Sequence, residues 1–162
     1  MLPRASPPPT EASTLMAVDL GLRAGIALYD SRGQLLSYRS TNFGSMSRLK
    51  RGAAGVVKPQ QDLAWVVVEG DRRMGEAWEG AALHRGARFD WVSPEQWRQT
   101  LLIPRKRRSG VKAKAEAEVL ARKVIRWSEL KGPTSLRHDA AEAILIGLWA
   151  VLTLGWLKKS PL

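Results

Sequence analysis

The chain of 162 residues contains no cysteine, which excludes a disulfide framework and any thiolate-ligated metal. A reducing compartment is compatible with that absence but not required by it. A long hydrophobic run is also missing. The most apolar stretch, Ala143–Leu157, holds about fifteen residues where a membrane span needs roughly 18 or more, so a buried helix is expected there and no membrane insertion. The opening MLPRASPPPTEAST carries four prolines and no apolar signal core, so residues 1–13 are expected to form a disordered lead and 14–158 the folded domain. An organellar transit peptide would be short. No internal repeat is evident. Acidic side chains are outnumbered, 15 Asp and Glu against 26 Lys and Arg for a formal charge of +11. Such an excess favours a polyanionic partner, nucleic acid or an anionic membrane surface.

Apolar patterning supplies the elements. TLMAVDLG (14–21), AGIALYD (24–30) and QLLSYRS (34–40) read as an antiparallel meander with a turn at SRG. Residues 44–62, rich in Gly, Lys and Arg, offer only a weak helix. LAWVVVEG (63–70) is a β-branched run expected of a central strand buried on both faces. A helix near Gly75–Arg85 follows, then a short strand in ARFDWVS. Ser93, Pro94 and Gln96 mark the next helix start, as cap, first helical residue and capping-box partner. Val111–Trp127 is amphipathic, and KGPTS separates it from the last helix. This order implies an α/β domain with a mixed sheet and helices packed on it.

Acids fall at the ends of these elements. Asp19 ends the first strand, Glu69 ends the central strand, and Asp139 and Glu142 open the last helix one turn apart. Taken singly, Asp19 fits a turn, Glu69 a strand-end ion pair and Asp139 a favourable first-turn charge. Glu142, closest to the apolar run, is the hardest of them to assign to such a role. If the first and fourth strands are parallel neighbours, all four acids converge. Four carboxylates repel unless cations lie between them, and hard divalent ions with oxygen ligands are the usual solution. Two such ions about 3.5–4 Å apart support phosphodiester cleavage.

AVDLGLRAGIALYD, WVVVEG and HDAAEAILIG resemble the three acidic motifs of the RuvC-type Holliday junction resolvases, within the ribonuclease H-like superfamily. The similarity runs from Leu15 to about Leu154. The resemblance implies a mixed five-stranded sheet flanked by helices, a homodimer, two Mg2+ ions per active site and paired nicks across a four-way DNA junction. It assigns metal binding and catalysis to Asp19, Glu69, Asp139 and Glu142; Mn2+ is expected to replace Mg2+. SPEQWRQTL resembles the family's Pro-containing helix start, and SGVKAKAEAEV sits where the family places a basic, junction-facing helix. Two departures stand out. Glu142 occupies a position where the bacterial enzymes commonly carry Asp. After the central Glu, where those enzymes place an aromatic wedge, the chain has Arg72 and Arg73; Met74 and Trp78 are nearby bulky residues that could substitute but are more often core.

The basic residues are legible independently. RKRRSGVKAK (105–114) places six cations in ten residues, a loop composition suited to phosphate contacts. Arg105, Lys106, Arg107, Arg108, Lys112 and Lys114 are the candidates, with Lys112 and Lys114 nearest the family's catalytic lysine region. His138 is a candidate proton carrier or supporting group, or equally an ordinary helix-start histidine; His84 reads as a structural residue and the seven tryptophans as mainly core. DLGLRAGIAL also resembles the YqgF-like RNA-processing enzymes, and a non-catalytic nucleic-acid-binding module is a third reading; the DAAEA segment and the full set of acids favour the resolvase. Cytoplasmic, nucleoid-associated localisation is expected, with an organellar address as the alternative. No helicase partner is legible.

Overall fold

The computed structural model describes residues 9–102 and 110–162. Its elements are β1 (Thr14–Asp19), β2 (Arg23–Asp30), β3 (Leu35–Asn42), α1 (Met46–Val57), β4 (Leu63–Glu69), α2 (Arg72–His84), β5 (Arg88–Trp91), α3 (Pro94–Leu101), α4 (Gly110–Trp127) and α5 (His138–Thr153). They form a five-stranded sheet of order β3-β2-β1-β4-β5. β1–β2 and β2–β3 are antiparallel, and β1–β4 and β4–β5 are parallel. This is the mixed α/β architecture anticipated from the sequence. Among the described residues, no helix is long and apolar enough to cross a membrane.

Strand alternation divides the core into two layers. Leu15 and Ala17 of β1, Ala27 and Tyr29 of β2, and Trp65 and Val67 of β4 face one side, with α3, α4 and α5. Met16, Val18, Ile26, Val66 and Val68 face the other, beneath α1 and α2. Apolar demand on both faces explains the unbroken run in β4. Helix α5 is buried from Ala140 to Val151, as expected of a helix apolar all round. It lies across β1 and β2.

Period-two alternation carries the odd-numbered face of β1 and β4 on to Asp19 and Glu69, which pair in register. Gly25 pairs with Asp19, and Ser40 pairs with Gly25. Ser40, Gly25, Asp19 and Glu69 therefore form one row across four strands, on the face that α5 covers. The absence of a side chain at Gly25 lets the start of α5 descend onto this row: a β-carbon there would meet the Asp139 carbonyl oxygen at 1.9 Å and the Ala140 nitrogen at 2.8 Å. Both neighbours are backbone, so the strain cannot be relieved by a rotamer change. Gly25→Ala should destabilise the fold by about 2–4 kcal/mol, lowering the melting temperature by roughly 5–15 °C for a chain of this size. A variant melting with the wild type would contradict this packing.

Two helices differ from the sequence expectation. Helix α1 is regular where only weak propensity was legible, because Leu49, Ala53, Val56 and Val57 make a buried stripe. Helix α2 starts at Arg72 rather than near Gly75, because the Asp71 side chain caps it by accepting from the Arg73 N–H. The capping box at Ser93 and Gln96 and the first-turn Pro94 are present as expected.

Candidate functional site

The end of the sheet where β1 and β4 stop places Asp19 and Glu69 side by side. The second turn of α5 adds a third carboxylate, Glu142, from above. One ligand oxygen each from Asp19, Glu69 and Glu142 lies within 4.8 Å of the others. Glu69 and Glu142 are 8% and 6% exposed, values that charged residues reach only when paired or ligating. An all-oxygen donor set of this kind fits a hard divalent cation such as Mg2+ or Mn2+.

Asp139 joins the cluster differently. Its Oδ2 accepts from Ser40 Oγ at 2.9 Å and its Oδ1 from the Ala140 N–H at 2.7 Å. It is thus tied to the β3 end of the row, while Glu142, one turn on, reaches the Asp19 and Glu69 end. Its charge still acts on Asp19. Asp19 is pushed up from 3.8 to about 8, first by burial, then by the charges of Glu142, Glu69 and Asp139, with Arg98 opposing. Burial likewise raises Glu69, against a lowering by the Trp97 hydrogen bond. Raised carboxyl groups in a shared cluster mark a place where added positive charge is favourable.

Helix α3 contributes two groups that sequence reasoning did not assign. Trp97 Nε1 donates to Glu69 Oε2 at 2.7 Å, so this fully buried tryptophan orients a carboxylate as well as filling the core. The guanidinium of Arg98 donates to Glu142 Oε1 at 3.0 Å. His138 Nε2 lies 3.1 Å from the same oxygen. The capping box that starts α3 was legible, but nothing in local periodicity reveals that Trp97 and Arg98 meet acids 28 and 44 residues away. Ser40 was missed for the same reason, since its partnership depends on strand register.

The basic candidates border this centre to different degrees. Arg72 and Arg73 open α2, just beyond Glu69, and both are exposed. Lys112 and Lys114 are exposed on α4, and Lys114 lines a cavity of about 220 Å³ with Glu118, Leu136 and His138. Arg105, Lys106, Arg107 and Arg108 lie outside the described residues. Trp78 is fully buried and Met74 packs against the core beneath α1 and α2, so Trp78 is no exposed wedge. His84 sits exposed in the last turn of α2.

No family model matches the chain, and no curated protein matches it. Among solved structures, the chain is similar to T. thermophilus RuvC in complex with a Holliday junction substrate. The match has a TM-score of 0.61 at 18% identity and covers 85% of this chain and 91% of that one. With the mixed five-stranded sheet and its flanking helices, this similarity shows that the chain has the RuvC-like, ribonuclease H-like fold.

Proposed function

We propose that the chain is a metal-dependent, structure-selective endonuclease that makes paired symmetric nicks in four-way DNA junctions. The observation that carries this reading is the convergence of Asp19, Glu69 and Glu142 within 4.8 Å on a RuvC-like sheet. Three converging carboxylates, two of them buried, are poor for stability without further positive charge and well suited to divalent ions. Such ions, when bound, supply a nucleophilic water at neutral pH and stabilise the leaving oxygen.

The protein's own groups have distinct tasks in this reading. Asp19 and Glu69, fixed by strand pairing, form the rigid floor of the site. Trp97 sets the orientation of Glu69. Glu142 closes the site from α5, with Arg98 and His138 holding its carboxylate and Arg98 offsetting part of the charge. Asp139, anchored by Ser40, completes the acidic set. Two Mg2+ ions per site, with Mn2+ able to substitute, are the metals this reading assigns to the acidic set, whose converging members are Asp19, Glu69 and Glu142. Lys112, Lys114, Arg72, Arg73 and the 105–108 cations contact phosphates, whose neutralisation dominates nucleic-acid affinity. A four-way junction has approximate two-fold symmetry, so a C2 homodimer places identical sites on opposite strands.

The reading is tested by comparing a four-way junction, linear duplex, a flap and a structured RNA as substrates in Mg2+ and in chelator. Cutting of the junction in Mg2+ alone, with the duplex nearly untouched, is expected. Preferential cutting of the RNA would promote the YqgF-like alternative, and binding without any metal-dependent cutting would leave a nucleic-acid-binding module.

A further inference from the structure

A cleft of about 560 Å³ opens beside Glu69, between the starts of α2 and α3, lined by Gly70, Arg72, Trp91, Val92, Pro94 and Gln96 among others. Its wall is a cation–aromatic pair. The Arg72 guanidinium carbon lies 4.6 Å from the centre of the Trp91 ring, within the range of a cation–π contact. Trp91 is itself held from two sides. Its benzo edge fits over Gly75 of α2, where a β-carbon would come within 2.0 Å of the ring. Phe89 meets it edge-on, with ring centroids 5.6 Å apart. An exposed arginine at the mouth of the cleft thereby lies over an aromatic ring that is packed on two other sides.

A planar cation backed by an indole, half-apolar walls and a position next to the acidic centre suit one chemical class of occupant: an unpaired nucleobase. Bases stack on aromatic and guanidinium planes with little regard to sequence. The charge of Arg72 also suits the phosphate that accompanies each base. Resting on the nuclease reading, we propose that this cleft is a base-receiving subsite, in which a base unstacked from the substrate strand lies against the Arg72–Trp91 pair while its backbone passes Glu69. The subsite occupies the place in the chain where no aromatic wedge exists, but it accepts a base rather than inserting a side chain.

The experiment is an abasic scan. Junctions with a single abasic residue at each position around the branch point are bound in Ca2+ by wild type, by Arg72→Lys, which keeps the charge and loses the plane, and by Trp91→Leu. The same scan is run on a single-stranded oligonucleotide. At one position, base removal should weaken wild-type binding about tenfold, and in both variants that penalty should vanish. Arg72 is exposed, so its variant remains interpretable even if Trp91→Leu fails to fold. A wild type with no position-specific penalty on either substrate, or an equal penalty in Arg72→Lys, would overturn the subsite. If intact junctions are neither bound nor cut by wild type, the resolvase reading fails instead, and the single-stranded scan then decides the subsite by the same two criteria.

Discussion

Asp19→Asn and Glu69→Gln are each expected to lower the cleavage rate by about a thousandfold or more while leaving junction affinity nearly intact. The rate loss follows from the several kcal/mol of charge stabilisation that a properly held metal centre supplies, at tenfold per 1.36 kcal/mol. Affinity depends on cationic contacts with phosphates, and removing a negative charge near the strand weakens none of them. Both substitutions preserve side-chain shape. Cleavage and binding measured in parallel separate the two effects. Loss of binding in step with cleavage, in a folded variant, would mean that these carboxylates shape the interface rather than the chemistry.

The second large effect is on stability. Asp19 is raised from its usual 3.8 to about 8, chiefly by burial, so between these values the folded state keeps a proton that the unfolded chain has released. Stability from this group is then fully present below about pH 4 and falls as pH rises toward about 8, at up to about 1.4 kcal/mol per pH unit. In chelator, the melting temperature should drop over that window, for a total of a few kcal/mol. Divalent ions bind the ionised cluster, so Mg2+ should offset the drop, and more strongly near pH 8 than near pH 5. Asp19→Asn removes the titrating group; it should flatten the chelator curve and melt above the wild type at the alkaline end. A wild-type curve without a downward slope, or an Asp19→Asn curve parallel to it, would contradict the clustered-carboxylate electrostatics.

Much of this site was legible because its parts lie at the ends of strongly patterned elements. The β-branched run of β4 and the apolar β1 each terminate in an acid, and strand alternation fixes the face those acids occupy. The all-apolar α5 announces burial, which makes the acids at its start conspicuous. The groups that hold the acids left no such trace. Trp97 reads as a core residue and Arg98 drew no assignment, and only the tertiary placement of α3 brings them to Glu69 on β4 and Glu142 on α5. The separation of Asp139 from the tight trio arises in the same way, from Ser40 two strands away from Asp19 in the sheet. In α1, Gly52 and Gly55 lowered the helical signal; a β-carbon at Gly52 would lie 2.3 Å from the Phe43 ring, so tertiary packing selects the residue that weakens local propensity.

The most direct test of the central claim is a strand-by-strand map of the products from a mobile four-way junction in Mg2+, with the mass of the protein in solution determined alongside. Two nicks at symmetric positions on opposite strands, made by a dimer and abolished by chelator, are expected. Nicks confined to one strand by a strict monomer, or cutting that persists in chelator, would contradict a carboxylate-bound metal centre acting in symmetric pairs on junction DNA.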